Sequence, residues 1–198
     1  LFLDIVPLFE TIDDLAAAHS VMSSLYNNKT YRDHLRKRGN KQSIMLGFSD
    51  GTKDGGYIRA NWSILRAKEE LTKVAREEGI DVVFFDGRGG PPARGGGNTH
   101  NFYASLGPNV ENREIQITIQ GQTISANYGK PVSCSYNLEQ LLSAGMESHL
   151  YPSSENSLTD KQKSLIDEMA DISYNAYKEL KNHEQFVPYL EKVTPLKF

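Results

Sequence analysis

The chain has 198 residues, a formal net charge of −3, 38% hydrophobic and 24% charged residues, 16 Gly, 8 Pro and one Cys. That length allows one large domain or two small ones, and the apolar share supports a core, which excludes disorder over the bulk of the chain. Cys134 alone cannot close an internal disulfide, and no run approaches the ~18 apolar residues of a membrane span, so the sequence reads as a soluble, cytoplasmic chain without a membrane role. The slightly acidic balance argues against a general nucleic-acid binder.

The chain opens on Leu1 without a Met, and residues 1–9 are core-like, so it reads as a piece of something longer. Three short apolar runs, 3–9, 43–48 and 81–85, lack strict alternation, as strands buried on both faces of a parallel sheet do. They lead into Glu10, into Ser49-Asp50 and into Asp86-Gly87-Arg88. Between the first two, Thr11 caps a helix through Asp13 and Asp14 to about Tyr26, and a second helix over about 30–37 stops at Gly39. The segment 57–78 carries the clearest helical signal, with Ile64, Ala67, Leu71 and Val74 on one face and Gly79 as terminator. The resulting order is β–α–β–α–β, an α/β pattern.

A glycine-rich loop spans 87–97, followed by a short helix over 98–106. Segments 114–120 and 123–127 flank Gly121 and read as two short strands. The remainder reads as helical, over 138–149 and 160–181, with a Pro/Ser loop at 151–157 between them. Thr159 and Gln162 form a capping-box pair, and Leu165, Met169, Ile172, Ala176 and Leu180 line one apolar face. The chain divides into strand/helix units over 1–130 and a helix-rich part over 137–198.

In parallel α/β folds the loops at the C-terminal strand ends converge, and Glu10, Asp50 and Arg88 each occupy such a position. Two carboxylates and an arginine suit a hard divalent cation with an anionic substrate, since Mg²⁺ takes one or two carboxylates and shares its remaining positions with water and substrate oxygens. Any one strand-end acid alone reads better as a solvated turn residue, and three such residues at equivalent places shift the balance towards a site. Asp50, Thr52, Asp54 and Gly55 match the opening of a calcium loop, but Asn61 stands where a bidentate Glu is needed. The segment reads instead as a glycine-loosened turn that aims Asp50 and Lys53 into a cleft, with a plain turn as the alternative. In the loop 87–97, glycines let backbone N–H groups approach an anion while Arg88 and Arg94 offer forked donors. A flexible linker and an RGG-type RNA contact are the alternatives there.

The motifs Pro7-Leu8-Phe9-Glu10-Thr11, Gly47-Phe48-Ser49-Asp50, Lys53-Asp54-Gly55-Gly56, Gly87-Arg88-Gly89-Gly90 and Arg94-Gly95-Gly96-Gly97 occur in fixed order. With Gln120-Gly121 and the closing Phe186-Val187-Pro188-Tyr189, the chain resembles part of the catalytic C-terminal half of phosphoenolpyruvate carboxylase. The resemblance implies a partial TIM-like (β/α) barrel with additional helices, and a parent enzyme that joins phosphoenolpyruvate and bicarbonate into oxaloacetate and phosphate with Mg²⁺ or Mn²⁺. It implies Glu10 and Asp50 as metal ligands, Arg88 for the substrate phosphate, Arg94 near the carboxylation step and Lys53 for substrate positioning. Gly89, Gly90, Gly95 and Gly96 would line the substrate. The family is homotetrameric, and its essential histidine and further arginines lie in segments absent from this chain, so the isolated chain is expected to be inactive.

Asp86 stands where most of the family has a histidine, and Pro91-Pro92-Ala93 stiffens the loop. Of the five histidines, only His100 sits near the expected cleft; His19, His34, His149 and His183 read as surface or packing residues. Trp62, Tyr174 and Tyr177 read as core or interface, and Cys134 as a small packing residue. A non-catalytic or regulatory anion-binding domain that retains the motifs remains the alternative to an enzyme fragment.

Overall fold

The structure, a computed structural model, describes residues 3–89, 99–150 and 157–195. Four parallel strands, β1 (Leu8–Phe9), β2 (Lys41–Leu46), β3 (Asp81–Gly89) and β4 (Ile115–Ile119), lie in the order β1-β2-β3-β4. Strands adjacent in sequence are therefore adjacent in the sheet. Crossovers between parallel strands that follow one another are expected to share one hand and so keep their helices on one face, and α1 (Ile12–Asn27) packs against α4 (Tyr57–Glu77). Leu15 and Met22 of α1, Leu71 and Val74 of α4, and Ile44, Leu46, Val82 and Phe84 of the strands form the core.

The expected strand 3–9 shrinks to two residues. Leu3, Ile5 and Val6 are exposed, and only Phe9 turns into the core. This strand is the sheet's edge, so its one ladder runs to β2, where Met45 N–H donates to the Pro7 carbonyl and Gly47 N–H to Phe9, both at 2.9 Å. Buried Gln42 secures the entering segment, because its amide donates to the Ile5 carbonyl at 2.9 Å and accepts from the Tyr31 hydroxyl at 2.7 Å. Its neighbours on β2 alternate between buried and half-buried, so this strand is covered by helices on one face only and not on both as expected.

The first helix starts as the sequence predicts, with a reciprocal pair in which Thr11 Oγ1 accepts from Asp14 N–H and the Asp14 carboxylate accepts from Thr11 N–H. These two bonds hold the Asp14 carboxyl below its usual range. Helix α2 (Lys29–Lys37) follows, capped by Asn28, and Gly39 and Asn40 at positive φ turn the chain into β2.

Segment 48–55, expected as a turn, is a helix, α3 (Phe48–Gly55). Its glycines serve close approach and not looseness. A Cβ on Gly47 would lie 2.3 Å from Glu10 Cβ, and one on Gly51 would lie 3.2 Å from the Glu10 carbonyl. Asp54 accepts from the Ile12 N–H at 3.0 Å, which ties α3 to the start of α1. Gly56, at φ 77°, then breaks the helix so that α4 begins at once.

After α5 (Thr99–Ala104) and β4, the expected strand 123–127 is instead α6 (Gln122–Tyr128), because Gly121 at positive φ ends the extended chain there. Helix α7 (Pro131–Leu150) begins earlier than expected, with Pro131 at its first position, where no N–H is needed. Helix α8 (Asp160–Lys181) has the expected Thr159/Gln162 capping box, and α9 (Phe186–Val193) follows. The apolar stripe of α8 is not its packed face: Leu165, Met169, Ile172 and Leu180 are each more than half exposed. α8 docks instead through polar side chains. Trp62 Nε1 donates to Asp167 at 2.6 Å, Arg59 pairs with Asp171 at 2.5 Å and Lys163 with Glu69 at 2.9 Å.

Two glycines are expected to respond oppositely to alanine. Gly47→Ala must push Glu10 away and should cost about 1–3 kcal/mol in denaturant unfolding. Gly145→Ala, inside α7 with no atom within 4 Å of the added methyl, should gain roughly 0.5–1 kcal/mol.

Candidate functional site

Glu10 directly follows β1, Asp50 lies in the first turn of α3 just beyond β2, and Arg88 is among the last residues of β3, so all three fall towards one edge of the sheet. Glu10 is half-buried and lies over the first turn of α3; a Cβ on Gly47 would sit 3.2 Å from its Oε2. That turn carries Asp50, which is exposed and whose Oδ1 is 2.5 Å from Lys53 Nζ. The far end of α3 is pinned by α8, because the Tyr177 hydroxyl donates to the Lys53 carbonyl at 2.8 Å and Lys181 Nζ does so at 3.2 Å. Tyr177 is thus an interface residue, as expected, and so is Tyr174, whose ring lies 5.8 Å from the Arg59 guanidinium.

At the third strand end the pairing of β3 with β4 is irregular. Asp86 pairs with Ile117 and Gly89 with Ile119, so three steps on β3 oppose two on β4, and Arg88 lies in the bulge. Its guanidinium carbon stands 3.9 Å from the ring centroid of Phe102. Arg88 is only 6% exposed, yet its Nε has no hydrogen-bond partner. A buried donor at a strand end without an acceptor has capacity to spare for an anion.

Two residues earlier, Asp86 is fully buried. Lys68 of α4, itself 1% exposed, places Nζ 2.8 Å from both carboxylate oxygens, and the Tyr103 hydroxyl donates to Oδ2 at 3.0 Å. The rings of Phe84, Phe102 and Tyr103 surround Lys68 Nζ at 5.1, 5.8 and 6.0 Å. Burial pushes the Tyr103 phenol far above its ordinary pKa; the Asp86 charge and hydrogen bond add to the rise, and nearby Arg88 opposes it. The phenol is therefore a permanent donor to Asp86. Sequence reasoning missed both Lys68 and Tyr103. The available signal was a lysine within the apolar stripe of α4, between Ala67 and Leu71, where burial demands a counter-charge.

His100 Nε2 lies 3.0 Å from Glu147 on α7. His34 sits against the Tyr31 ring, His183 Nδ1 accepts from the Gln185 N–H, and His19 lines a cleft between α1, α4 and α8. Gly89 closes β3. Gly90, Arg94, Gly95 and Gly96, with the side chain of His149, lie outside the described residues. Among the described residues no three His, Cys, Asp or Glu side chains come together to hold a metal. Glu10 and Asp50, two hard carboxylates on neighbouring strand ends, fit a cation such as Mg²⁺ that keeps most of its coordination in water or substrate.

The sequence model of the phosphoenolpyruvate carboxylase family matches residues 2–197. The chain belongs to that family. It is 40% identical over 197 residues to the phosphoenolpyruvate carboxylase of Rhodothermus marinus, covering 98% of this chain and 21% of that protein. The enzymes of Mycobacterium leprae and Corynebacterium diphtheriae match at 40% over 195 and 38% over 193 residues, again covering 21% of each. The chain thus spans about a fifth of the length of the curated relatives it matches.

The two acid–lysine pairs of this site should differ sharply in stability. Asp86→Asn strands a buried ammonium and is expected to cost about 3 kcal/mol or more in denaturant unfolding. Lys53→Ala breaks an exposed pair and should cost less than about 1 kcal/mol.

Proposed function

We propose that the polypeptide containing this chain carboxylates phosphoenolpyruvate with bicarbonate, yielding oxaloacetate and phosphate, and that this chain supplies one side of the active site. The observation that carries this reading is the alignment of Glu10, Asp50 and Arg88 at three successive parallel strand ends in a member of this family. The in-order parallel sheet supports reading it as part of a (β/α) barrel. The barrel would be completed by strands from the remainder of the polypeptide, with residues 1–198 acting as a single part of it.

Arg88 would bind the substrate phosphate, its unspent Nε and planar fork matching phosphoryl oxygens. Lys53, exchanging Asp50 for substrate, would orient the carboxylate end. Glu10 and Asp50 would hold Mg²⁺ or Mn²⁺, which when bound supplies charge neutralisation for phosphoryl transfer to bicarbonate. The enolate left behind must meet carbon dioxide before it meets a proton, so water has to be excluded. Arg94, with Gly89, Gly90, Gly95 and Gly96, would form the closing loop over it. No described helix is long and apolar enough to cross a membrane; a cytoplasmic location and a homotetrameric assembly belong to the proposed reading.

The test is bicarbonate-dependent oxaloacetate formation. The parent polypeptide should be active and the 198-residue chain alone should show little or no turnover; full activity from the chain alone would refute the one-sided site. Arg94→Ala in the parent should lower turnover about a hundredfold while leaving the Mg²⁺ requirement unchanged. Glu10→Gln and Asp50→Asn should instead raise the Mg²⁺ concentration needed for half-maximal rate, and unaltered Mg²⁺ dependence in both would remove them as ligands.

A further inference from the structure

Arg88 has a potential internal competitor. Asp86 is a buried carboxylate two residues away on the same strand, and Tyr103 reaches both, its hydroxyl on Asp86 and its ring 5.8 Å from the Arg88 guanidinium. An arginine and a carboxylate this close and this dry would ordinarily pair with each other, since an isolated buried charge is costly. They do not. Asp86 Oδ2 accepts from Lys68 Nζ and from Tyr103, Oδ1 lies 2.8 Å from the same Nζ without a hydrogen bond of its own, and Arg88 lies on the Phe102 ring with Nε unpartnered.

We propose that Lys68 is a positioning residue for anion binding: by occupying Asp86 it keeps the Arg88 guanidinium from being neutralised within the protein, leaving it for the phosphate of the substrate. Lys68 touches no substrate. Its place is fixed by the aromatic ring set of Phe84, Phe102 and Tyr103, which it shares with Arg88 through Phe102. Phe102 is in turn held edge-on by Tyr103 at 5.0 Å and by Phe48 of α3 at 5.9 Å. Lys68 and Asp86 cancel, so the group as a whole carries the single positive charge of Arg88, which forms no ion pair among the described residues. The inference rests on the proposed role of Arg88 as the phosphate-binding residue.

The experiment titrates inorganic phosphate and phosphoenolpyruvate into the parent polypeptide by calorimetry and measures kcat and KM alongside. Lys68→Met frees Asp86 to capture Arg88, so phosphate affinity should fall about tenfold or more and KM for phosphoenolpyruvate should rise by more than kcat falls. Adding Asp86→Asn to Lys68→Met removes the competitor and should restore phosphate affinity to within a few fold of the unaltered protein. Should Lys68→Met fail to fold, the charge-balanced double variant and Tyr103→Phe, which loosens Asp86 while keeping the ring, carry the test. Tyr103→Phe should weaken phosphate binding by a few fold.

Unchanged phosphate affinity in Lys68→Met, or in Tyr103→Phe where that variant stands in, overturns the proposal. So does a double variant that binds phosphate no better than the weaker single one. If the unaltered polypeptide binds phosphate but forms no oxaloacetate, the carboxylase reading fails and the phosphate series still decides the role of Lys68. If it binds no phosphate at all, the role of Arg88 fails and this inference falls with it.

Discussion

Every described strand is parallel to its neighbour and stands next to it in sequence order, and this one constraint organises the rest. A parallel step obliges the chain to return across the full length of the sheet, so helices must intervene, and handedness puts them on one face. It also sends every strand's C-terminus to the same edge. Glu10, Asp50 and Arg88 come to the same edge of the sheet because they stand at or just beyond the ends of β1, β2 and β3, although 40 residues separate the first two and 38 the last two. The short path from β2 into α3 then determines how close two of them come. α3 can lie over Glu10 only because positions 47 and 51 carry no Cβ.

How much of this the sequence announced depended on whether the deciding interaction was local. Strand ends were legible because an apolar run ending in a charged residue is a local pattern, and the capping boxes at Thr11 and Thr159 were legible for the same reason. The helix α3 was hidden by its own glycines. They argue for a turn by propensity, yet they are present to admit Glu10 and Ile12 from another element. In α8 the periodicity was right and its meaning was not. The helix docks by Asp167, Asp171 and Lys163 against Trp62, Arg59 and Glu69, and no apolar count can reveal a polar docking face. Lys68 was the hardest residue to read, because its reason for being buried is a carboxylate 18 residues later on a different element.

The departure at Asp86 looks different once its surroundings are known. A carboxylate at the end of a buried strand is tolerable only with a cation and a further donor, and α4 and α5 each contribute one. Sequence alone left the residue as an isolated substitution. The structure makes it one member of a set joining β3, α4 and α5, in which changing any member alters the electrostatic demand on the others. The same set keeps α5 against the sheet, with Phe102 and Tyr103 beside the strand end where Arg88 is held.

Two acid–lysine pairs of identical chemistry therefore have unlike roles because of where water reaches. Asp50 and Lys53 are i and i+3 on one short helix, with the lysine side chain 70% exposed, and water replaces either partner at little cost. Groups of that kind are free to change partners when a cation or a carboxylate arrives. Asp86 and Lys68 have no such substitute, so their separation would leave two uncompensated charges in a dry interior. The edge of the sheet thus combines an exchangeable half on α3 with a fixed half on β3, α4 and α5. Arg88 belongs to the fixed half by position and keeps an unspent donor, which under the proposed function makes it the residue through which an incoming anion would meet a preorganised charge.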